Sequence, residues 1–479
     1  KKLAQPNEEP TMLVEKMLVA AMAEYKKFLL EYCSGAAELE LSPASSALIV
    51  SGLHQAANAA SKAALRLFLE AKDETDDLIR VGQDSYRFKF LSEREALSPW
   101  GKMRFARRLF QNAKDQSHVP LDSAWGMSGE FMMAEVREAV AFASAHVTPQ
   151  EVAELMEKSA QFHPHRTQIL EALERIEARV SDLRDSVDER IREQESAPEN
   201  VRVLVASMDG ANVLLNEPGK KRGRPAERPK GGAEEESKTS YKNAMAGSFS
   251  FYGAVEEGKK CPRRLRTRYV VHMPEDLAPT FKRRFEDELN AAEGLCSQDV
   301  VKVILCDGAR SIWSYIDGNL RFAGYETLID YWHAAEHLSL AAEALFGKGT
   351  EKAKAWYNDY AEKLLEQDNA ARAVLKSMAY YLQTLKLPRS RRDDLKTQQT
   401  FFERNQSKMN YADFRRRGLP IGSGPVEAAC KSLIKNRMCR SGMRWSREGG
   451  QRILDLRCYV KSNRWDLFWK EYLALQHAA

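Results

Sequence analysis

The hydrophobic pattern divides the chain into a helical front and a strand-rich back. Residues 11 to 80 read as helices rich in Ala and Leu, with clear segments from Met17 to Tyr32 and from Ala44 to Leu69. Between 85 and 110 the period shortens to two. Tyr86-Arg87-Phe88-Lys89-Phe90 and Lys102-Met103-Arg104-Phe105 alternate apolar with basic, and Pro99-Trp100-Gly101 is a turn signal between them. This predicts a small sheet with a basic face, either lying on a DNA backbone or simply solvated. Helical spacing returns over 133 to 195. Thr148-Pro149-Gln150-Glu151 carries a helix start, with Thr148 as cap, Pro149 in the first turn and Glu151 closing a capping box. A helix from Ala134 to His146, a second to Ala160 and a third beginning near His163 fit a helix-turn-helix or a plain helical bundle. Along the third helix, Ile169, Leu173, Ile176, Val180, Leu183 and Val187 keep a coiled-coil register, open to a second copy or packed on the chain's own core.

Beyond residue 200 the pattern becomes that of buried strands. Val201 to Met208 is apolar on both faces and is expected to end at Asp209-Gly210. Strands from Met245 to Tyr252 and Leu265 to His272 follow, then a helix from Leu277 to Glu293. A further buried strand, Val300 to Cys306, ends at Asp307-Gly308. Two strands that each end in Asp-Gly place two carboxylates side by side at a sheet edge, a donor set suited to hard divalent cations. Strand, strand, strand, helix, strand is the order of a ribonuclease-H-like fold, whose third carboxylate belongs on a later helix. Ile421-Gly422-Ser423-Gly424-Pro425-Val426-Glu427 supplies one: Ser423 or Gly424 caps, Pro425 suits the first turn, and the helix continues through Ile434. The bland alternative for Glu427 is a first-turn acid that favours the helix dipole.

Composition narrows the class. The chain has 479 residues, too many for one compact core, and 43% hydrophobic with 29% charged residues is ordinary globular composition. No apolar run approaches the roughly 20 residues that span a bilayer. The start, Lys1-Lys2-Leu3, shows no signal peptide and no methionine, so a trimmed or tagged start is expected. The seven cysteines lack CxxC spacing and read as reduced thiols of a cytosolic protein, with no zinc site. The net charge of +5 is unevenly spread: Arg389 to Arg452 holds 16 Lys/Arg against 6 Asp/Glu, a local 16 − 6 = +10, which leaves 5 − 10 = −5 elsewhere. A basic C-terminal region of this kind points to a polyanion partner.

The segments Ser207-Met208-Asp209-Gly210, Cys306-Asp307-Gly308-Ala309, Asp330-Tyr331-Trp332-His333-Ala334-Ala335-Glu336-His337-Leu338 and Gly422-Ser423-Gly424-Pro425-Val426-Glu427 resemble those of ISKra-type bacterial insertion-sequence transposases. Asn436-Arg437-Met438 with Ser441-Gly442-Met443-Arg444-Trp445, and Pro120-Leu121-Asp122 with Trp125-Gly126-Met127, look like the same family. That family belongs to the DDE superfamily related to Mutator and hAT elements, whose DxxH or CxxH motif is matched by Asp330-Tyr331-Trp332-His333. The superfamily's helical insertion before the Glu fits the 427 − 307 = 120 residues between Asp307 and Glu427, where Ala353 to Gln367 and Ala370 to Leu387 read as helices.

The resemblance implies an α/β ribonuclease-H-like catalytic core with a helical insertion, preceded by a mainly α-helical N-terminal DNA-binding and dimerisation region. The expected parts are a helical region (1–82), a small β-containing segment (83–130), a helix-turn-helix-like and long-helix region (131–198), the catalytic domain (199–337 and 411–465) and the insertion (338–410). The implied activity is Mg²⁺-dependent cleavage and strand transfer at the ends of an insertion sequence. Mn²⁺ would substitute, with two ions held by Asp209, Asp307 and Glu427. Asp209 is the expected bridging ligand; His333 either touches the scissile phosphate or metal shell or is structural. A metal pair of His333 with His337 lacks an apparent third ligand. Arg437, Arg440, Arg444 and Arg447 suit phosphate contacts, and Trp445 either stacks on a base or packs under the helix.

Double-stranded DNA, at element ends and target, is the expected partner. At least a homodimer on DNA and a bacterial cytoplasmic, nucleoid-associated location are also expected, with no membrane association. A nuclease of the same fold without strand transfer, and a DNA-binding regulator with a vestigial core, are the alternatives. Residues 219–240 read as a basic loop in which Gly, Pro and charge leave nothing to bury. Its Arg222-Gly223-Arg224-Pro225 resembles an AT-hook core for a narrow A·T minor groove, or is a solvated loop.

Overall fold

The computed structural model describes residues 10–35, 40–160, 162–216, 241–259 and 261–477. The chain separates into two compact units, Lys1–Ile191 with Asp466–Ala479, and Arg192–Trp465. The basic loop with Arg222 and Arg224 lies outside the described residues.

In the first unit, α1 (Pro10–Cys33) and α2 (Pro43–Ala71) pack on each other as a hairpin. Gly52, Ala56 and Ala59 are buried on α2, small residues that let helix backbones approach. A four-stranded antiparallel sheet follows, in the order β1 (Leu78–Val81), β2 (Asp84–Ser98), β3 (Gly101–Gln111) and β4 (Ser117–His118). Its period-two pattern is therefore a real strand pattern, but several of its basic groups are already engaged. Arg108 lies 3.9 Å over the Phe88 ring and 2.6 Å from Asp77, and Arg104 is 3.2 Å from Glu95.

Helices α3 (Pro120–Ala124), α4 (Ala134–His146), α5 (Pro149–Ser159), α6 (Arg166–Val180) and α7 (Arg184–Glu193) complete this part. The capping box before α5 forms as expected: the Thr148 hydroxyl accepts the Glu151 N–H, and Glu151 accepts the Thr148 N–H. The long third helix does not run on. It breaks at a 3-10 turn, Ser181–Leu183, which leaves Leu183 45% exposed. Ile169, Leu173, Ile176, Val180 and Val187 are each at most 3% exposed. The coiled-coil register is therefore spent on the chain's own core, and its apolar side is not open to a second copy.

The second unit is built on a five-stranded sheet. The strands are β5 (Val203–Leu214), β6 (Tyr241–Val255), β7 (Pro262–His272), β8 (Val301–Cys306) and β9 (Glu326–Ile329), in the spatial order β7-β6-β5-β8-β9. β5, β6 and β7 are antiparallel neighbours, while β5, β8 and β9 run parallel. This is a mixed α/β core. The parallel strands need crossover connections: α8 (Pro279–Gly294) precedes β8 and α9 (Arg310–Asp317) precedes β9. α8 starts after Leu277 and Ala278, both in the left-handed region (φ 60° and 51°), with Pro279 in its first turn. Its Phe281 and Phe285 pack on each other with tilted rings, and Phe285 packs likewise on Phe249 of β6, which covers one sheet face.

After β9 come α10 (Tyr331–Phe346), α11 (Glu351–Glu366), α12 (Ala370–Thr384), α13 (Arg389–Asn405) and α14 (Tyr411–Arg416). α15 (Gly424–Ala429) continues not as α-helix but as a π-helical turn over Cys430–Lys435, then α16 (Asn436–Met438). The helix expected through Ile434 does continue that far, but Cys430–Lys435 is wound as a wider π turn rather than as α-helix. α17 (Arg447–Lys461) packs on β7, and α18 (Trp465–His477) carries the chain back into the first unit's residues. Among the described residues no helix is long and apolar enough to cross a membrane.

Candidate active site

Strand register brings the carboxylates together. β5 and β8 pair in parallel with a constant offset, Val203 with Val301 through Ala206 with Ile304. That offset, 301 − 203 = 98, also relates Asp209 to Asp307. β8 and β9 pair with an offset of 329 − 306 = 23, which relates Asp307 to Asp330. Extended along these offsets, three aspartates fall at one register position: Asp209 within β5, and Asp307 and Asp330 just past the ends of β8 and β9. β5 does not end at Asp209, as the Asp-Gly pair suggests, but runs on to Leu214 paired with β6. The cause is packing: Ala211 and Val213 remain buried against Cys430, Leu433 and Ile434. The β8 side of β5 opens after Ala206, and Asp209 lies along that open edge.

Asp307 is held by its surroundings. Its side chain accepts the Ala309 N–H at 3.0 Å, and its carbonyl accepts the Trp313 indole N–H. Arg404 on α13 donates to the Gly308 carbonyl at 2.8 Å. A Cβ at Gly308 would overlap the ring of Phe401, also on α13. The insertion therefore grips the loop that carries Asp307.

Asp330 is fully buried and makes no approach to solvent. Its carboxylate caps α10 by accepting the His333 N–H at 2.9 Å, and it also accepts the Ser423 N–H at the start of α15. The Tyr331 N–H donates to the Ile421 carbonyl at 2.9 Å. These bonds fix the lead-in to Glu427, which lies in the first turn of α15 and accepts from the Ser423 hydroxyl at 3.3 Å. The Cys430 thiol, one turn on, hydrogen-bonds the Asp209 carboxylate; burial and that negative neighbour push the thiol's pKa up.

The cluster is electrostatically strained. Burial raises the Asp307 carboxyl above its usual range, and the charges of Asp209 and Asp330 push the same way against the Ala309 N–H and His333. Burial likewise raises Glu427, reinforced by Asp330 and Asp209 and opposed by Ser423 and His333. Among the described residues no three His, Cys, Asp or Glu side chains are gathered closely enough to cage a metal ion. The donor set itself, the partly accessible carboxylates of Asp209, Asp307 and Glu427, with Asp307 and Glu427 raised in pKa, fits a hard divalent cation.

His333 faces the cluster and is half-buried, 4.9 Å from the His337 ring and 3.9 Å from Glu336. His337 is engaged elsewhere: its ring stacks on Phe401 at 3.6 Å, and its Nδ1 lies 2.6 Å from the Gln398 side-chain oxygen. Burial lowers its pKa. His337 is therefore a support for His333 and α13.

The C-terminal basic residues divide in two. Arg440, Arg444 and Arg447 are exposed. Arg437 is 1% exposed, with its guanidinium 5.0 Å from the Trp445 ring. Trp445 donates its indole N–H to the Met438 carbonyl, and its backbone pairs beside Leu214 and Asn216 at the end of β5. Arg437 and Trp445 thus shape the segment that presents the exposed arginines. Sequence reasoning singled out the three acids and His333, but missed the anchoring of Asp330 and the parts played by Cys430, Phe401 and Arg404; only Asp330 carried a signal, through its motif. No protein-family model matches the chain.

Proposed function

We propose that this chain is a DNA transposase of an insertion sequence, of the ISKra type within the DDE superfamily, with a ribonuclease-H-like catalytic domain. The observation that carries the reading is the register row: Asp209 and Asp307 on adjacent parallel strands, with Glu427 at the head of a helix tied to the same row through Asp330. The strand order, three antiparallel strands followed by two parallel ones, supports the fold. The exposed Arg440, Arg444 and Arg447 support a polyanionic substrate.

In this reading Asp209, Asp307 and Glu427 would together hold the Mg²⁺ ions. Bound there, the ions stabilise charge on the attacking and leaving oxygens and lower the pKa of the attacking water. Asp307 is kept in place by the Ala309 N–H and α13, and Glu427 by Ser423. His333 presents its imidazole ring toward the carboxylates. Arg440, Arg444 and Arg447 hold phosphates, and hydrolysis at an element end frees a 3′-OH that attacks target DNA. Two ends must be joined, so at least two copies act together on DNA.

The test is cleavage and joining of labelled element-end duplexes in Mg²⁺, Mn²⁺, Ca²⁺ and EDTA. Mg²⁺ and Mn²⁺ should support cutting and joining, and Ca²⁺ binding without efficient turnover. Asp209→Asn, Asp307→Asn and Glu427→Gln should each abolish cutting while DNA binding persists. Cutting in EDTA, or by any of the three variants at the wild-type rate, overturns the metal assignment. Cutting without joining reduces the activity to that of a nuclease.

A further inference from the structure

Of the eight tryptophans, seven are buried or half-buried and Trp332 alone is exposed, at 70%. It stands in the first turn of α10, between the buried Asp330 that anchors the site and His333 that faces the carboxylates. The loop before Glu427 meets one edge of its ring: a Cβ at Gly422 would lie 3.5 Å from the indole Cδ1 and Nε1. Tyr331 braces it in a T-shaped contact at 5.3 Å between ring centroids. The indole N–H has no hydrogen-bond partner among the described residues. A large, exposed aromatic surface set beside the carboxylates thus has Tyr331 as its one ring contact among the described residues and leaves its indole face open.

We infer that Trp332 is a stacking platform for one nucleobase of the DNA strand being cut, adjacent to the scissile phosphate. The inference rests on the proposed DNA-cleaving function. Its basis is geometric. Asp330 fixes both the α10 turn that carries Trp332 and the lead-in to Glu427, so a base held on the indole is held in register with the carboxylates. Every base has a π-face, so the platform tolerates sequence while fixing the strand's position. The base that stacks must leave its own neighbours, which is easiest at a nicked, frayed or distorted end.

The experiment uses the full chain and end duplexes in which an abasic nucleotide is moved one position at a time through the bases flanking the cut. Single-turnover cleavage is measured for wild type, Trp332→Phe and Trp332→Ala. Trp332→Ala should slow cleavage roughly 5- to 100-fold, the effect of losing one base–aromatic stack, with Trp332→Phe in between. One abasic position should slow the wild type by a similar factor and add little in Trp332→Ala, because both changes remove the same contact. If Trp332→Ala lowers the melting temperature, Trp332→Phe and the wild-type abasic scan still decide the matter. Wild type that cuts with a flat abasic scan, or an abasic penalty undiminished in Trp332→Ala, overturns the stacking role alone. Wild type that cuts no DNA overturns the proposed function and this inference with it.

Discussion

The carboxylate of Asp330 accepts the backbone N–H of Ser423, a residue 93 positions further along the chain, from a site with no solvent exposure. The same carboxylate caps α10 through the His333 N–H. One buried group thus ties the helix bearing His333 to the helix bearing Glu427, and its charge is felt at Asp307 and Glu427. Asp330→Ala should leave two buried N–H groups without acceptors and cost about 1–3 kcal/mol of stability. It should also lower the cleavage rate and raise the Mg²⁺ concentration for half-maximal activity, with DNA affinity little changed. Asp330→Asn keeps one good acceptor and turns the other into a donor facing an N–H, so it should rescue only in part. Denaturant melts and Mg²⁺ titrations of cleavage check this; normal Mg²⁺ dependence in Asp330→Ala would separate the clamp from Glu427.

The raised pKa values of Asp307 and Glu427 give a stability–pH prediction. A carboxyl whose folded pKa exceeds its unfolded value stabilises the fold most when protonated, below the ordinary values of 3.8 for Asp307 and 4.5 for Glu427. That contribution is lost as pH rises through the raised values. At neutral pH without divalent ions, Asp307→Asn and Glu427→Gln should therefore melt at the wild-type temperature or slightly above it. Added Mg²⁺ should raise the wild-type melting temperature and affect the variants less. The differences should shrink below pH 4. Melting curves across pH with and without Mg²⁺ test it, and variants that melt well below wild type at pH 7 would contradict it.

Gly308 follows Asp307, and its close neighbour is Phe401 on the insertion helix. Gly308→Ala should displace the Asp307 loop or the Phe401 ring, and cleavage should fall about 10-fold or more, since small misplacements at a reacting centre carry large rate penalties. Phe401→Leu makes room for the added methyl, so Gly308→Ala with Phe401→Leu should recover part of the loss. If the double variant is as slow as the product of the single effects, the two residues are not coupled as this contact requires.

How far the site was legible in the sequence follows from these contacts. Two apolar runs closing on Asp209 and Asp307 marked a pair of strand-borne acids, and the parallel pairing of β5 with β8 sets them in one register row. The lead-in to Glu427 was marked by Pro425 and its neighbouring glycines. Other features left no local trace. β9 has four residues, too few for a pattern. α13 begins Arg-Ser-Arg-Arg-Asp-Asp, and that charge masks the buried Leu395, Phe401 and Phe402. Gly210 reads as a turn, although β5 passes straight through it, because the Asn243 side chain on β6 fills the place of its Cβ. The heptad-like spacing from Ile169 was real periodicity, but spacing alone does not distinguish a zipper from a helix packed on its own core.

The π-helical turn at Cys430–Lys435 gives the last prediction. Arg457 on α17 is 5% exposed, and its guanidinium donates to the carbonyls of Leu433, at 2.8 Å, and Ser432. Those acceptors lie inside the π turn, where the ordinary helical pattern is widened. Burial holds the Arg457 pKa down to about 10, so the group remains charged at neutral pH. Its fork reaches two carbonyls at once, which a lysine cannot match. The turn begins at Cys430, whose thiol hydrogen-bonds Asp209, three residues after Glu427. Arg457 therefore braces the turn that follows Glu427 and carries the thiol bonded to Asp209. Arg457→Met fills similar space but leaves both carbonyls without that donor. It should cost about 1–3 kcal/mol and slow cleavage, with DNA affinity little changed. Arg457→Lys should fall between, since it makes one bond and burial pushes its lower intrinsic pKa down further. Melting temperature and single-turnover cleavage, measured for both variants, give the check. A stable Arg457→Met that cuts at the wild-type rate would show that the π turn holds its shape, and the acids their places, without the guanidinium.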